Sequence, residues 1–169
     1  NTKGEQFLSK NPPHTGHIRQ ILEMFPNAKF IYLVRNPYTV FESTRSFFCN
    51  TIQPLKLQHI SDEELENNIL EVYKRLYRRY EQDKQLIPAG NLIEIKFEDY
   101  EKDALAITEK IYKTLSLPGF ENAKADIARY LDMKKGYKKN AYKYEDRTIE
   151  LVEKNWDFAL KQWGYERLG

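Results

Sequence analysis

The sequence predicts an α/β fold, a parallel β-sheet flanked by helices, and three observations carry that prediction. The apolar run Phe30-Ile31-Tyr32-Leu33-Val34, bounded by Asn27 and Pro37, is short and rich in strand-forming residues, as a buried strand of a parallel sheet is. A second such run, Leu92-Ile93-Glu94-Ile95-Lys96-Phe97, follows the breaker Pro88-Ala89-Gly90-Asn91. Helical periodicities lie between and after these runs, and strands alternating with helices imply parallel pairing with right-handed crossovers.

Taken in chain order, Gln6-Phe7-Leu8-Ser9 is a further strand candidate, ending at Lys10. Ile18, Ile21, Leu22 and Phe25 recur at helical spacing up to Pro26. After the strand at Phe30–Val34, Asn36 can cap and Pro37 can open a helix running to about Phe48. The stretch from Asn50 to Ile60, with Pro54 inside it, reads as a loop or short irregular helix. Ser61 followed three residues on by Glu64 is a capping box. From there Leu65, Ile69, Val72, Tyr73, Leu76, Tyr77 and Tyr80 keep a 3.6-residue period to about Gln85, which puts the three tyrosines on the buried stripe of a long helix.

Beyond Phe97 the chain turns helical. Leu105, Ile107, Ile111, Tyr112 and Leu115 mark one helix, ended by Leu117-Pro118-Gly119, and Ile127, Tyr130 and Leu131 mark another. A basic loop, Lys134 to Asn140, follows. Ile149, Val152, Trp156, Leu160 and Trp163 then describe a terminal helix with both tryptophans on its buried face.

Composition narrows the function classes. The 169 residues, 41% of them hydrophobic, suffice for a single domain with one sizeable core. With 27 Lys and Arg against 25 Asp and Glu, the chain projects no global field for nucleic acid or a membrane surface. The lysine-rich loop, though interleaved with Tyr137, Tyr142 and Tyr144, is too local a footprint for a nucleic-acid partner. The single cysteine, Cys49, excludes an internal disulfide, fits a reducing, cytoplasmic setting, and reads as a small buried hydrophobe. No apolar run approaches the roughly 20 residues of a membrane span. The three histidines share no metal-ligand spacing with cysteines or carboxylates, so no metal is expected, and His17 and His59 read as structural.

Chemistry gathers where strands end. Lys10 and His14 follow the first candidate strand, Arg35 the second, and Phe97-Glu98-Asp99 the third. In a parallel sheet those carboxyl ends share one edge, the edge at which open α/β sheets bind ligands. Arg35, together with the free N–H groups and dipole of the helix opened by Pro37, forms an expected anion site. Glu98 and Asp99, adjacent after a strand, point apart, which favours helix capping over paired acid–base work.

Lys10-Asn11-Pro12-Pro13-His14, Phe25 to Phe30, Arg35-Asn36-Pro37-Tyr38 with Ser43 eight residues after the arginine, Phe97-Glu98-Asp99, Gly136 to Asn140 and Trp163-Gly164-Tyr165 occur in that order. In this the chain resembles the sulfotransferases that use 3′-phosphoadenosine-5′-phosphosulfate, particularly the bacterial branch with a Lys-x-Pro-x-His element. The resemblance covers most of the chain. It implies a P-loop nucleotide-hydrolase-like sulfotransferase fold and in-line transfer of a sulfuryl group to an acceptor hydroxyl or amine, with no metal. It places Arg35 and Ser43 at the donor's 3′-phosphate, Phe97 near the adenine, and Lys138 and Lys139 in a segment closing over that phosphate. It makes Lys10 the residue that neutralises the sulfuryl group in flight and His14 the base. The acceptor would be a small molecule or a glycan. Phe47, Phe48 and the stretch from Asn50 to Ile60 would line its pocket, and their aromatic content favours an apolar or ring-bearing alcohol.

The chain departs from the family at its start. Such enzymes open with a strand and a Gly- and Ser-rich loop that holds the 5′-phosphosulfate, and nothing before Lys10 supplies such a cradle. The chain therefore reads as N-terminally incomplete, a fragment inactive by itself. Two alternatives stand beside this reading: a non-catalytic module that binds 3′-phosphoadenosine, and a phosphoryl-transfer enzyme, which would need Mg²⁺ ligands the sequence does not display.

Overall fold

The computed structural model describes residues 7–52, 57–136 and 141–169. Two strands, β1 (Phe30–Val34) and β2 (Leu92–Lys96), pair in parallel, in register from Phe30 opposite Leu92 to Val34 opposite Lys96. Parallel neighbours need a long crossover. Here it holds α2 (Pro37–Ser46), a wide π-type turn (Phe47–Thr51) and α3 (Asp62–Asp83). A 3₁₀ turn (Pro12–Gly16) and α1 (Ile18–Met24) precede β1. β2 runs directly into α4 (Phe97–Lys102), followed by α5 (Ala104–Thr114), α6 (Phe120–Lys134) and α7 (Asp146–Trp163).

The largest core lies among α2, α3 and α7 rather than on the sheet. Tyr38, Phe41, Leu65, Ile69, Leu70, Val152, Trp156 and Leu160 close it off from water. Trp156 stacks on Tyr73 with ring centroids 4.0 Å apart, meets Phe41 edge-on, and donates its indole N–H to the Leu70 carbonyl at 3.1 Å. The expected capping box starts α3: the Glu64 N–H donates to Ser61 Oγ and the Ser61 N–H to the Glu64 carboxylate. Tyr77 and Tyr80 are buried and Tyr73 half-buried, so the tyrosine stripe is core, as its spacing predicts. Cys49 is half-buried against the same core.

Polar ties lock these helices together. Buried Glu66 on α3 accepts from Arg45 of α2 at 3.3 Å and from Arg147 of α7 at 2.6 Å. Thr148 on α7 donates to buried Glu42 on α2 at 2.5 Å. Removing both arginines would leave the buried Glu66 carboxylate uncompensated, which is more damaging than the net worth of the pairs suggests. Burial works against the Arg45 charge, but Glu42 and Glu66 outweigh it and hold the guanidinium pKa above its usual value.

The sheet differs from expectation in two respects. Residues 7–9 form no strand, and Phe7 and Leu8 are 92% and 85% exposed; Gln6 lies outside the described residues. A strand needs a neighbouring ladder, and this segment has none. Nor is β1 buried on both faces. Phe30 and Tyr32 pack with Ile18, Tyr80 and Ile87, but Ile31 and Leu33 on the opposite face are 44% and 52% exposed. Their register partners Ile93 and Ile95 are covered by Leu115, Ile107 and Ile111 of α5 and its end. Among the described residues the other edge of β1 has no strand partner.

Smaller differences have local causes. β2 stops at Lys96, and Phe97 opens α4 instead of closing the strand. Trp163 is only half-buried beside Tyr32, because Trp156, with φ −124° and ψ 21°, breaks the helical phase between the two tryptophans. No helix among the described residues is long and apolar enough to cross a membrane.

The C-terminus is tied down by Glu153, whose carboxylate accepts from the Tyr38 hydroxyl at 2.8 Å and from the Leu168 and Gly169 N–H groups at 3.0 Å. The Tyr38 hydrogen bond, and then the backbone donors, hold the Glu153 carboxyl below its usual range. Burial, with the bond to Glu153 behind it, pushes Tyr38 up to about 12. The depressed carboxyl contributes stability that is present above its unfolded pKa and lost as pH falls through the folded value; the raised phenol contributes stability that is present below its unfolded pKa and lost as pH climbs towards about 12. Urea-unfolding midpoints should therefore drop on both sides of a neutral plateau. Glu153→Gln should make the acid side shallower and Tyr38→Phe the alkaline side.

Candidate functional site

Register decides what meets at the carboxyl edge. With Val34 opposite Lys96, the next residues out of the two strands are Arg35 and Phe97. The Arg35 guanidinium carbon lies 4.6 Å from the centroid of the Phe97 ring. Resting a guanidinium on a ring is favourable and leaves its N–H fork open to an oxyanion. Both residues are half-buried, and among the described residues no carboxylate forms an ion pair with Arg35.

The turn after Arg35 is more fully engaged than the sequence implies. Asn36 caps α2, its Oδ1 accepting from the Tyr38 N–H at 3.0 Å, and Pro37 follows as the first helical residue. The Asn36 N–H donates to Glu98 Oε1 at 2.8 Å, while Glu98 Oε2 accepts from the Tyr165 hydroxyl at 2.7 Å. Burial, together with the bond to Glu98, raises the Tyr165 phenol well above its ordinary pKa. Two N–H groups expected to face an anion are therefore occupied, and Pro37 has none. The start of α2 thus offers fewer free N–H groups beside the Arg35 side chain than expected, because those of Asn36 and Tyr38 are taken within the protein. Glu98 does cap, but the turn it caps belongs to α2 rather than to its own helix.

Thr39 and Ser43 lie one turn apart on α2 and share a face. Both are half-buried. Thr39 Oγ1 and the Tyr144 hydroxyl share a hydrogen bond of 2.7 Å, and the Tyr144 ring packs on Tyr38 with centroids 5.5 Å apart. Tyr144, which lies beyond the basic segment 134–140 in the chain, thus packs on the helix that carries Ser43. Lys138 and Lys139 lie outside the described residues.

Lys10 and His14 stand apart from this network. Lys10 is exposed in an irregular stretch and follows no strand. His14 is half-buried in the 3₁₀ turn, its Nδ1 3.5 Å from Ser9 Oγ. None of the hydrogen bonds or ring contacts around Arg35 extends to either residue. His17 is more firmly held: its Nδ1 lies 2.8 Å from the Pro13 carbonyl, which can only accept, so that nitrogen carries the proton. Among the described residues no group of three or more His, Cys, Asp and Glu is placed to hold a metal ion.

Sequence reasoning alone did not single out Tyr165 or Tyr144 as site residues. A signal existed for the first. Gly164, with φ 60°, ends α7 in the left-handed conformation that glycine favours and turns the next residue back towards the sheet.

A model of the sulfotransferase family matches residues 1–122. The chain belongs to the sulfotransferase family. It is 30% identical over 160 residues to omega-hydroxy-beta-dihydromenaquinone-9 sulfotransferases of Mycobacterium bovis and Mycobacterium tuberculosis. The match covers 95% of this chain and 41% of each relative, so the chain spans well under half their length. No solved structure matches it.

The Arg35–Phe97 contact is open to direct test. Phe97→Leu keeps an apolar side chain but removes the ring face, a loss of about 0.5 to 2 kcal/mol for a cation–π contact made within the folded protein. Urea unfolding should show a loss of stability in that range for Phe97→Leu, and a much smaller loss when the same change is made in a protein that already carries Arg35→Ala.

Proposed function

We propose that this chain supplies the 3′-phosphate half of a donor site in an enzyme that transfers a sulfuryl group from 3′-phosphoadenosine-5′-phosphosulfate to an acceptor hydroxyl. The observation that carries the proposal is Arg35 seated on Phe97 at the shared carboxyl edge of β1 and β2. A guanidinium fork suits a phosphate, an aromatic ring suits a base plane, and Ser43 with Thr39 adds hydroxyl donors along α2. The bound donor supplies an activated sulfuryl group, released from the nucleotide's 5′-phosphate as the acceptor oxygen takes it. Arg35 and Ser43 hold the nucleotide, Lys138 and Lys139 add positive charge over its 3′-phosphate, Lys10 offsets charge on the moving group, and His14 takes the acceptor proton.

The other end of the donor needs its own cradle. A parallel strand paired along the edge of β1 that has no strand partner among the described residues could carry a phosphate-binding loop at its carboxyl end, on the same side as Arg35. On this reading turnover belongs to the whole gene product and not to these 169 residues. The acceptor is an alcohol with an apolar body. Phe47 and Phe48 stand exposed on the π-type turn, edge to face with centroids 5.6 Å apart, and the mycobacterial relatives are named for an omega-hydroxylated dihydromenaquinone. Both points favour a small apolar molecule over a glycan.

Adenosine 3′,5′-bisphosphate should bind more tightly than adenosine 5′-monophosphate, by about tenfold to a hundredfold for one or two charge-assisted bonds. Arg35→Ala should erase the difference while the fold persists. Equal affinity of the unaltered protein for the two nucleotides in calorimetry would remove the 3′-phosphate site. In single-turnover transfer of labelled sulfate by the full gene product, His14→Ala and Lys10→Ala should each slow transfer by about a hundredfold or more and leave donor affinity nearly unchanged. A protein that binds donor yet transfers to none of a panel of apolar alcohols would instead be a binding module.

A further inference from the structure

We infer that Glu98 is a positioning residue for Arg35, and that Tyr165, reaching back from the end of α7, holds Glu98 in that role. This rests on the 3′-phosphate reading of Arg35. Phe97 and Glu98 are consecutive, and between them they fix Arg35 at both ends: the Phe97 ring carries the guanidinium, and the Glu98 carboxylate holds the N–H of the residue that follows it in the chain. The second carboxylate oxygen is taken by the Tyr165 hydroxyl, and Lys96 Nζ lies 4.9 Å from the centroid of the Tyr165 ring. Two distant parts of the chain, the turn at Asn36 and Tyr165 beyond α7, converge on the Glu98 side chain.

The chemistry of the group fits the task. A carboxylate is acceptor-only at both oxygens, so it takes one donor on each side, and an alanine in its place would leave the Asn36 N–H and the Tyr165 hydroxyl without their shared acceptor. Among the described residues no cation forms an ion pair with Glu98, and its charge lies close to a residue meant to attract an anion. By Coulomb's law that charge opposes anion binding, so any gain from Glu98 must come through geometry. The gain is preorganisation. An arginine whose backbone and guanidinium are both fixed loses less rotamer freedom when a phosphate binds.

The two effects have opposite signs, and that makes the inference testable. In the full gene product, Glu98→Ala removes the charge and both acceptors; Tyr165→Phe removes only the hydroxyl and keeps the ring under Lys96. Each variant is titrated with adenosine 3′,5′-bisphosphate and adenosine 5′-monophosphate, with urea unfolding alongside. Glu98→Ala should weaken the bisphosphate about tenfold and change the monophosphate by less than about twofold; Tyr165→Phe should do the same to a smaller extent, and the double variant should be no worse than Glu98→Ala. Tighter bisphosphate binding in Glu98→Ala would mean that charge outweighs geometry and would overturn the inference. So would lower unfolding midpoints with an unchanged ratio of the two affinities, since that is a purely structural role. If the unaltered protein does not distinguish the nucleotides, the 3′-phosphate reading fails and this inference with it; if it does and both variants keep the full ratio, this inference alone fails.

Discussion

The site depends first on the parallel pairing of Phe30–Val34 with Leu92–Lys96. Parallel strands point their carboxyl ends the same way, so whatever follows each strand is delivered to one edge. The register makes this specific. With Val34 opposite Lys96, Arg35 and Phe97 leave side by side and meet as cation and ring. A slip of one residue would turn every side chain of β1 to the opposite face and take Tyr32 off Tyr80, on which it stacks with centroids 3.7 Å apart. The burial of Phe30, Tyr32 and Val34 therefore fixes the geometry of the site as well as that of the sheet.

Helix α2 belongs to both the site and the core. Tyr38, Phe41 and Glu42 face inward, where Trp156, Leu65 and Thr148 hold them, while Thr39, bonded to the Tyr144 hydroxyl, and Ser43 share the neighbouring face. Large buried rings and a satisfied polar network keep a helix from rotating about its axis, so they hold the hydroxyl face where Tyr144 meets it. The wide turn Phe47–Thr51 that ends this helix leaves Phe47 and Phe48 exposed. Ring area left outside a core at the end of a core helix suits a partner that arrives from solution.

With Arg35 in its proposed role, Glu98 shows how a carboxylate can stand beside an anion-binding arginine. Its hydrogen bonds to the Asn36 N–H and the Tyr165 hydroxyl convert a repulsive charge into a fixed turn. Helix-start groups in free solution would be available to any anion; here the turn at Asn36 and Pro37 is satisfied from within. In the proposed site selectivity then falls to side chains, whose spacing can be matched to one ligand more closely than a helix dipole can.

The elements legible in the sequence were those set by local chemistry. The capping box at Ser61 and Glu64, the tyrosine stripe of α3, the Asn36-Pro37 helix start and the two strand runs depend on neighbours a few residues away, and the structure contains them all. What failed depended on partners far along the chain. Phe7 to Ser9 have strand-like composition but no ladder to join, and Ile31 and Leu33 have apolar character but no covering layer among the described residues. Residue order and motif spacing pointed to the family, and the resemblance singled out Arg35, Ser43 and Phe97 for one site. Only the tertiary structure decided that Arg35 rests on Phe97, that Glu98 spends both oxygens on Asn36 and Tyr165, and that the α2 entry is already occupied. Those outcomes follow from strand register and from the path of the chain after Gly164, which bring together residues that no local pattern connects.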